Sequence, residues 1–193
     1  MRKLFVYSLW FILFLAVAVT AVSFWAIVNR KIGYMPPIED LQNPVNRFAT
    51  QVYSSDGKLI GTWSMSRENR VMVEYSKLSP NLVQALVATE DARFYDHSGI
   101  DFYALMRAII KRGLMGQKSA GGGSTITQQL AKQLYSGAAH STMERMLQKP
   151  IEWVIAVELE RTYTKDEIIT LYLNYFDFLH NAVGIKTAAN TYF

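Results

Sequence analysis

Three hydrophobic patterns follow one another along the chain. From Leu4 to Val28 no charged residue interrupts the run LFVYSLWFILFLAVAVTAVSFWAIV. A bilayer core takes about 20 apolar residues as helix, so this run is predicted to span a membrane with some tilt. Trp10 lies inside it, and Trp25 lies where an interface aromatic belongs. A cleaved signal peptide would have an apolar core of only about 7–15 residues, so residues 1–30 are read as an uncleaved anchor. Arg2 and Lys3 precede the span and Arg30 and Lys31 follow it, so charge leaves its orientation open. The next pattern is short and strand-like. Thr50 to Tyr53 and Lys58 to Trp63 flank Ser54-Ser55-Asp56-Gly57, and Asp-Gly is a strong hairpin-turn signal. Before it, Pro36-Pro37 stiffens Tyr34 to Asp40 into an extended linker. Residues 31–78 are therefore read as linker and hairpin, and 79–193 as one folded domain with helical spacing.

The helix starts in that domain are marked by local chemistry. Ser79-Pro80 places an N-cap before a proline at the first helical position. Asp101 is placed to cap a helix from Phe102 to Arg112 that stops near Gly113. Thr125 with Gln128, Ser141 with Glu144 and Thr164 with Glu167 each have capping-box spacing. Capped helices with one small hairpin predict a mainly α domain.

Half of the residues are hydrophobic and 19% are charged, which is a globular composition. The net charge of +4 suits a surface that meets phosphates and is too weak to indicate nucleic acid. The absence of cysteine excludes disulfides, cysteine-ligated zinc and thiol catalysis. The three histidines have no metal-ligand spacing, so no built-in metal site is expected.

Several residues could carry chemistry. Leu82, Val83, Leu86 and Val87 form an apolar stripe, and Glu90 continues it. A carboxylate on such a face is expected to be partly desolvated, which makes it a better base. Asp91, Phe94 and His97 follow closely. The plainer reading is a helix-end carboxylate paired with Arg93. Glycines 121–123 lead into a helix N-terminus, whose free N–H groups suit a phosphate. Thr125, Gln128, Gln129 and Lys132 share a face there and could grip a diphosphate or sugar hydroxyls. The plainer reading is a flexible loop with a polar helix face, and no G-K-[ST] makes it a Walker loop. Lys149 and Glu152, spaced i,i+3, read alone as a surface salt bridge. Pro150 sits between them and could kink their helix. Phe102 to Lys118 is strongly apolar, with Arg107, Lys111, Arg112 and Lys118. It reads either as a membrane-interface helix or as a core helix with basic ends.

Together these segments resemble the peptidoglycan glycosyltransferase domain of class A penicillin-binding proteins and of the monofunctional wall transglycosylases. The first family motif reads Glu90-Asp91-Ala92-Arg93-Phe94, continuing to His97 and Gly99. The second reads Gly122-Gly123-Ser124-Thr125-Ile126-Thr127-Gln128-Gln129-Leu130-Ala131-Lys132. The third is Gln148-Lys149-Pro150-Ile151-Glu152. The fourth is Lys165-Asp166-Glu167-Ile168-Ile169 with Leu171-Tyr172-Leu173-Asn174. The fifth is Gly184-Ile185, Ala188-Ala189 and Tyr192-Phe193. The resemblance runs from about Pro36 to the end of the chain and rests on five motifs in family order.

The resemblance implies a lysozyme-like, mainly helical fold whose membrane-touching jaw falls at Phe102 to Lys118. It implies a growing glycan donor held by its lipid diphosphate and lipid II as acceptor. Glu90 would be the general base of an inverting transfer. Asp91, Phe94, His97, Ser124, Thr125, Gln128, Gln129 and Lys132 would line the substrate. Lys149 and Glu152 would assist the leaving diphosphate or the acceptor. The implied partners are the membrane and other wall-synthesis proteins, with no nucleic acid. No cofactor is tightly bound, but family members often respond to a divalent cation such as Mg2+ or Mn2+. The catalytic side would face the periplasm or cell exterior.

Two departures stand out. Gln148 replaces the arginine that usually opens the third motif, with Arg145 one turn earlier as its candidate substitute. The family domain normally continues with helices beyond the position of Phe193, and class A members add a transpeptidase. The chain is thus read as C-terminally incomplete, and it lacks the Ser-x-x-Lys pattern of penicillin binding. Two rival readings are a lysozyme-like glycan-cleaving enzyme and a non-catalytic membrane scaffold of wall synthesis.

Overall fold

The structure is a computed structural model that describes residues 2–29, 31, 50–63, 71–116, 122–135, 142–180 and 182–193. Its first element, α1 (Arg2–Val28), follows the charge-free run. Its 27 residues rise about 40 Å, more than the hydrocarbon thickness of a bilayer. Only 11% of its most apolar window is buried, so α1 is not a core helix covered by protein. It is long and apolar enough to cross a membrane. Its last turn does meet protein. Ala26 and Ile27 are buried, and Phe24 stacks on Trp153 with ring centroids 6.2 Å apart.

The expected hairpin forms from β1 (Thr50–Tyr53) and β2 (Leu59–Trp63), paired antiparallel. Ser54 N donates to Lys58 O at 2.8 Å and Gly57 N to Ser54 O at 2.9 Å. Gly57 takes φ +78°, the left-handed turn conformation that glycine enters without strain. The register slips between Val52 and Tyr53, so β2 begins at Leu59 rather than Lys58.

The remaining elements are helical. A 3-10 turn (Tyr75–Lys77) leads to α2 (Pro80–Glu90), and a second 3-10 turn (Phe94–Asp96) leads to α3 (Phe102–Ala108). The chain then widens into an underwound π-helical stretch (Ile109–Leu114), which ends α3 as an α-helix four residues before the expected Arg112. Next come α4 (Ile126–Tyr135), α5 (Thr142–Thr162), α6 (Lys165–Tyr175) and α7 (Ile185–Tyr192). The described residues thus form a mainly α domain with a small hairpin behind an apolar N-terminal helix. The linker expected at Tyr34 to Asp40 and the side chains of the Ser141–Glu144 cap lie outside the described residues.

The core is built by α4, α5 and α6. Ile126 and Leu130 of α4, Ile155 and Leu159 of α5, and Ile168 and Ile169 of α6 are completely buried. Spacings of four residues put the α4 pair and the α5 pair each on one face, and the adjacent Ile168 and Ile169 are both enclosed because α6 is buried on several sides. Every residue of α6 from Ile168 to Tyr175 is buried, so α6 is the central helix. Its polar Asn174 bonds twice to the preceding segment, accepting from Val73 N at 2.8 Å and donating to Val73 O at 2.9 Å. Pro150 lies within α5, and the helix continues through it.

The start of α6 is the full capping box expected from Thr164 and Glu167. Thr164 N donates to Glu167 Oε2 at 2.7 Å, and Glu167 N donates to Thr164 Oγ1 at 3.3 Å. The backbone donor of Thr164, followed by its hydroxyl, holds the Glu167 carboxyl below its ordinary range. Such a lowered carboxyl stabilises the fold above its unfolded range and loses that contribution as pH falls through its folded value. Thr164→Ala is expected to cost about 1 kcal/mol at neutral pH, read as a lower denaturation midpoint, with the deficit shrinking in acid.

Candidate active site

Glu90 ends α2, and its side chain is exposed. The expected partial desolvation is therefore corrected. Only Val83 of the stripe is fully buried, and the last turn of α2 runs past the core it packs against. The Arg93 pairing is not formed either. Arg93 Nε lies 3.5 Å from Asp101 Oδ2, and its guanidinium sits 4.8 Å over the Tyr103 ring. Glu90 is met from α4 instead: Gln129 Nε2 donates to Glu90 Oε2 at 2.9 Å. Tyr172 of α6 donates its hydroxyl to Gln129 Oε1 at 3.1 Å. Burial, and after it the Glu90 carboxylate, pushes the Tyr172 hydroxyl well above the ordinary phenol range. Tyr172 is thus held as a neutral donor.

Asp91, the next residue, points the other way. It is 7% exposed and lies 3.0 and 3.1 Å from His97 Nε2 through its two oxygens. It also accepts from Ile126 N at 3.1 Å, satisfying one of the free donors at the start of α4. Asp91 therefore fixes the end of α2 against the start of α4, which sets Glu90 opposite Gln129. Phe94 is fully buried, with Lys165 Nζ 4.2 Å from its ring centroid. That ammonium donates to His97 O at 2.6 Å and pairs with Glu160 at 2.8 Å. Glu160 accepts from Thr127 at 2.6 Å, which joins α4, α5 and α6 behind the site.

The face expected from Thr125, Gln128, Gln129 and Lys132 divides in two. Thr125 and Gln128 are buried and donate to Gly99 O at 2.7 and 3.3 Å. Thr125 Oγ1 also accepts from Gln128 N at 3.1 Å, half of the expected capping box. The other half is lost because the Gln128 side chain is drawn to Gly99. Gln129 and Lys132 are half-buried, and Lys132 has no ion pair among the described residues. A side chain on Gly123 would lie 3.2 Å from the Leu105 backbone, so the glycine loop packs tightly against α3.

Glu152 corrects a second expectation. It is 2% exposed, so its pair with Lys149 is no surface bridge. Lys149 Nζ is 2.5 Å from Glu152 Oε2 and donates to Ser124 Oγ at 3.3 Å. The segment from Ser124 to Gln129, at the start of α4, thus links Glu152, through Lys149, to Glu90 at its other end. Arg145, the candidate substitute for the missing arginine, is exposed and forms no ion pair among the described residues. Among the described residues no three His, Asp or Glu side chains converge to hold a metal. The divalent cation implied by the resemblance thus finds no cage of protein ligands there.

Outside this site, Phe102, Tyr103, Met106, Ile109, Ile110 and Met115 are exposed along α3 and its π-helical continuation. No residue of α3 is buried, which removes the core-helix reading of this segment. Its expected end at Lys118 lies outside the described residues.

The described residues thus form a helical domain in which an amide, hydroxyl and ammonium stretch lies between two carboxylates, Glu90 and Glu152. The family model described as Transglycosylase matches residues 56–193. The chain belongs to the transglycosylase family. It is 39% identical over 154 residues to penicillin-binding protein 1A of Haemophilus influenzae, covering 80% of this chain and 17% of that protein. It is 38% identical over 160 residues to penicillin-binding protein 1A of Escherichia coli, covering 82% and 18%. Against penicillin-binding protein 1F of Bacillus subtilis the identity is 42% over 130 residues, covering 67% and 18%. The chain spans under a fifth of the length of these curated relatives.

Two features of the site were not singled out in the sequence. Tyr172 sits in the fourth motif with no assigned role, and the signal was a tyrosine whose hydroxyl needs a partner between two leucines of that motif. The Thr127–Glu160–Lys165 chain had no sequence signal, because its members are brought together only by packing.

Proposed function

We propose that the chain is a peptidoglycan glycosyltransferase domain that polymerises lipid II. The observation that carries this reading is the placement of Glu90 against Gln129 at one end of a polar stretch, with Lys149 and Glu152 at the other. Glu90 takes the proton from the 4-hydroxyl of the acceptor sugar. That oxygen bonds to the donor's anomeric carbon with inversion as the bond from that carbon to the diphosphate oxygen breaks. The electron pair leaves with the lipid diphosphate, and Lys132 and Lys149 offset its charge. Ser124 and Gln129 orient donor and acceptor. Asp91, Phe94, His97, Thr125 and Gln128, held in the interior, act by positioning these groups rather than by touching sugar.

The exposed apolar side chains of α3 enter the membrane interface with Arg107 and Lys111 toward headgroups. On this reading the site lies where a lipid-linked substrate presents its diphosphate. The division is anchor at 1–30, linker and hairpin at 31–78 and glycosyltransferase domain at 79–193, with the catalytic side outside the cytoplasmic membrane. Partners among other wall-synthesis proteins fall under the same reading.

The test is the full chain in detergent micelles, supplied separately with labelled lipid II and with preformed glycan. Polymer from lipid II and intact preformed glycan are expected. Cleavage of the glycan would establish the hydrolase instead, and inertness toward both would establish the scaffold.

A further inference from the structure

We propose that Tyr172 is a positioning residue that orders the Gln129 amide and, through it, the Glu90 carboxylate. This deepens the glycosyltransferase reading and rests on it for the catalytic consequence.

A glutamine amide presents an acceptor at one end and a donor at the other, and its rotation exchanges them. Facing Glu90, only the NH2 end is useful, because the carbonyl end would oppose a carboxylate. The acceptor-only carboxylate selects the NH2 end, and Tyr172 completes the arrangement by holding the amide from the far side. Its hydroxyl donates to Gln129 Oε1 at 3.1 Å, which leaves Nε2 to donate to Glu90 Oε2 at 2.9 Å. The hydroxyl is itself firmly placed. Tyr172 is 2% exposed in the central helix, and its ring packs against Phe176 with centroids 5.1 Å apart. Three neighbouring charged groups are engaged elsewhere, and Lys132 forms no ion pair among the described residues. Asp91 is held by His97 and Ile126 N, Arg93 by Asp101, and Lys149 by Glu152 and Ser124. Glu90 has no ion pair among the described residues. The chain from phenol to amide to carboxylate thus orients the exposed Glu90 side chain against a rigid helix.

The test uses Tyr172→Phe, which removes one oxygen and keeps the ring that packs against Phe176. The full chain in micelles, labelled with 15N in glutamine side chains, reports the Gln129 NH2 signal, assigned by Gln129→Ala. That signal is expected to stand apart from those of solvent-exposed glutamines and to move toward them in Tyr172→Phe. An unmoved signal overturns the proposal, whatever the chain's activity. With labelled lipid II, Tyr172→Phe is expected to lower kcat about tenfold through misplacement of the base, with KM unchanged and an unaltered melting profile. In a Gln129→Ala background it should add nothing further. Full additivity, or a KM effect alone, also overturns it. A parent chain that makes no polymer, beside a Gln129 signal that moves as expected, would sink the glycosyltransferase reading and leave the ordering of the amide standing.

Discussion

Glu90→Gln is expected to lower glycan polymerisation by about 10²- to 10⁴-fold, the range for removing a positioned general base. The substitution changes little else. The side chain is exposed, so stability should move by no more than about 0.5 kcal/mol. The new amide is nearly isosteric, and its carbonyl can still accept from Gln129 Nε2, the bond that places Glu90 at 2.9 Å. What it cannot do is take the acceptor's proton while that oxygen attacks. The loss should therefore fall on kcat, with KM for lipid II within a few-fold of the parent. Steady-state and single-turnover rates on labelled lipid II measure this. Polymerisation within about tenfold of the parent would remove Glu90 from the role of base.

Gly99→Ala is expected to destabilise the domain by about 3 kcal/mol, from strain and overpacking together. Gly99 has φ +92°, where a side chain is strained on any background. A Cβ there would also lie 2.9 Å from both the carbonyl carbon and the oxygen of Ala156. These are backbone atoms of α5, which cannot swing aside as a side chain could. The carbonyl of Gly99 meanwhile accepts from Thr125 and Gln128, so displacement of the loop also disturbs the start of α4. Thermal unfolding should drop by roughly 6–12 °C for a chain of this size. Gly113→Ala provides the comparison, since a Cβ there meets nothing within 4 Å and no positive φ is involved. It lies in the helical stretch and should be neutral or stabilising by up to about 1 kcal/mol. Equal effects from the two substitutions would contradict the packing of Gly99 against α5.

These expectations also show which parts of the chain were legible from sequence. The Thr164–Glu167 box and the Asp-Gly turn were read correctly because all their partners lie within a few residues. The charge-free run similarly defined α1. The Asp91 cap on α4 was out of reach, because its donor at Ile126 lies 35 residues along the chain. Glu90 was misjudged for a related reason. Helical spacing placed it on the apolar stripe, but spacing does not say where the neighbouring core ends. Glu152 erred in the opposite sense, since an i,i+3 pair looks the same on a surface as beneath one. Helical spacing covers the region of α7, but its start carries no signal. It begins at Gly184 with φ +83° and no side-chain cap, so none of the usual starting residues announces it. The motifs supplied by family resemblance carried the site residues, yet packing alone divided them into those turned inward and those left open.

The stacking of Phe24 on Trp153 has a consequence for depth. Trp153 immediately follows Glu152, so the aromatic grip on the anchor is one peptide away from a buried site carboxylate. Vertical drift of the domain along the bilayer normal would first have to peel those rings apart. Under the glycosyltransferase reading proposed above, α1 would then serve as a gauge as well as a tether, fixing the altitude of the site over the headgroups while leaving sideways diffusion free.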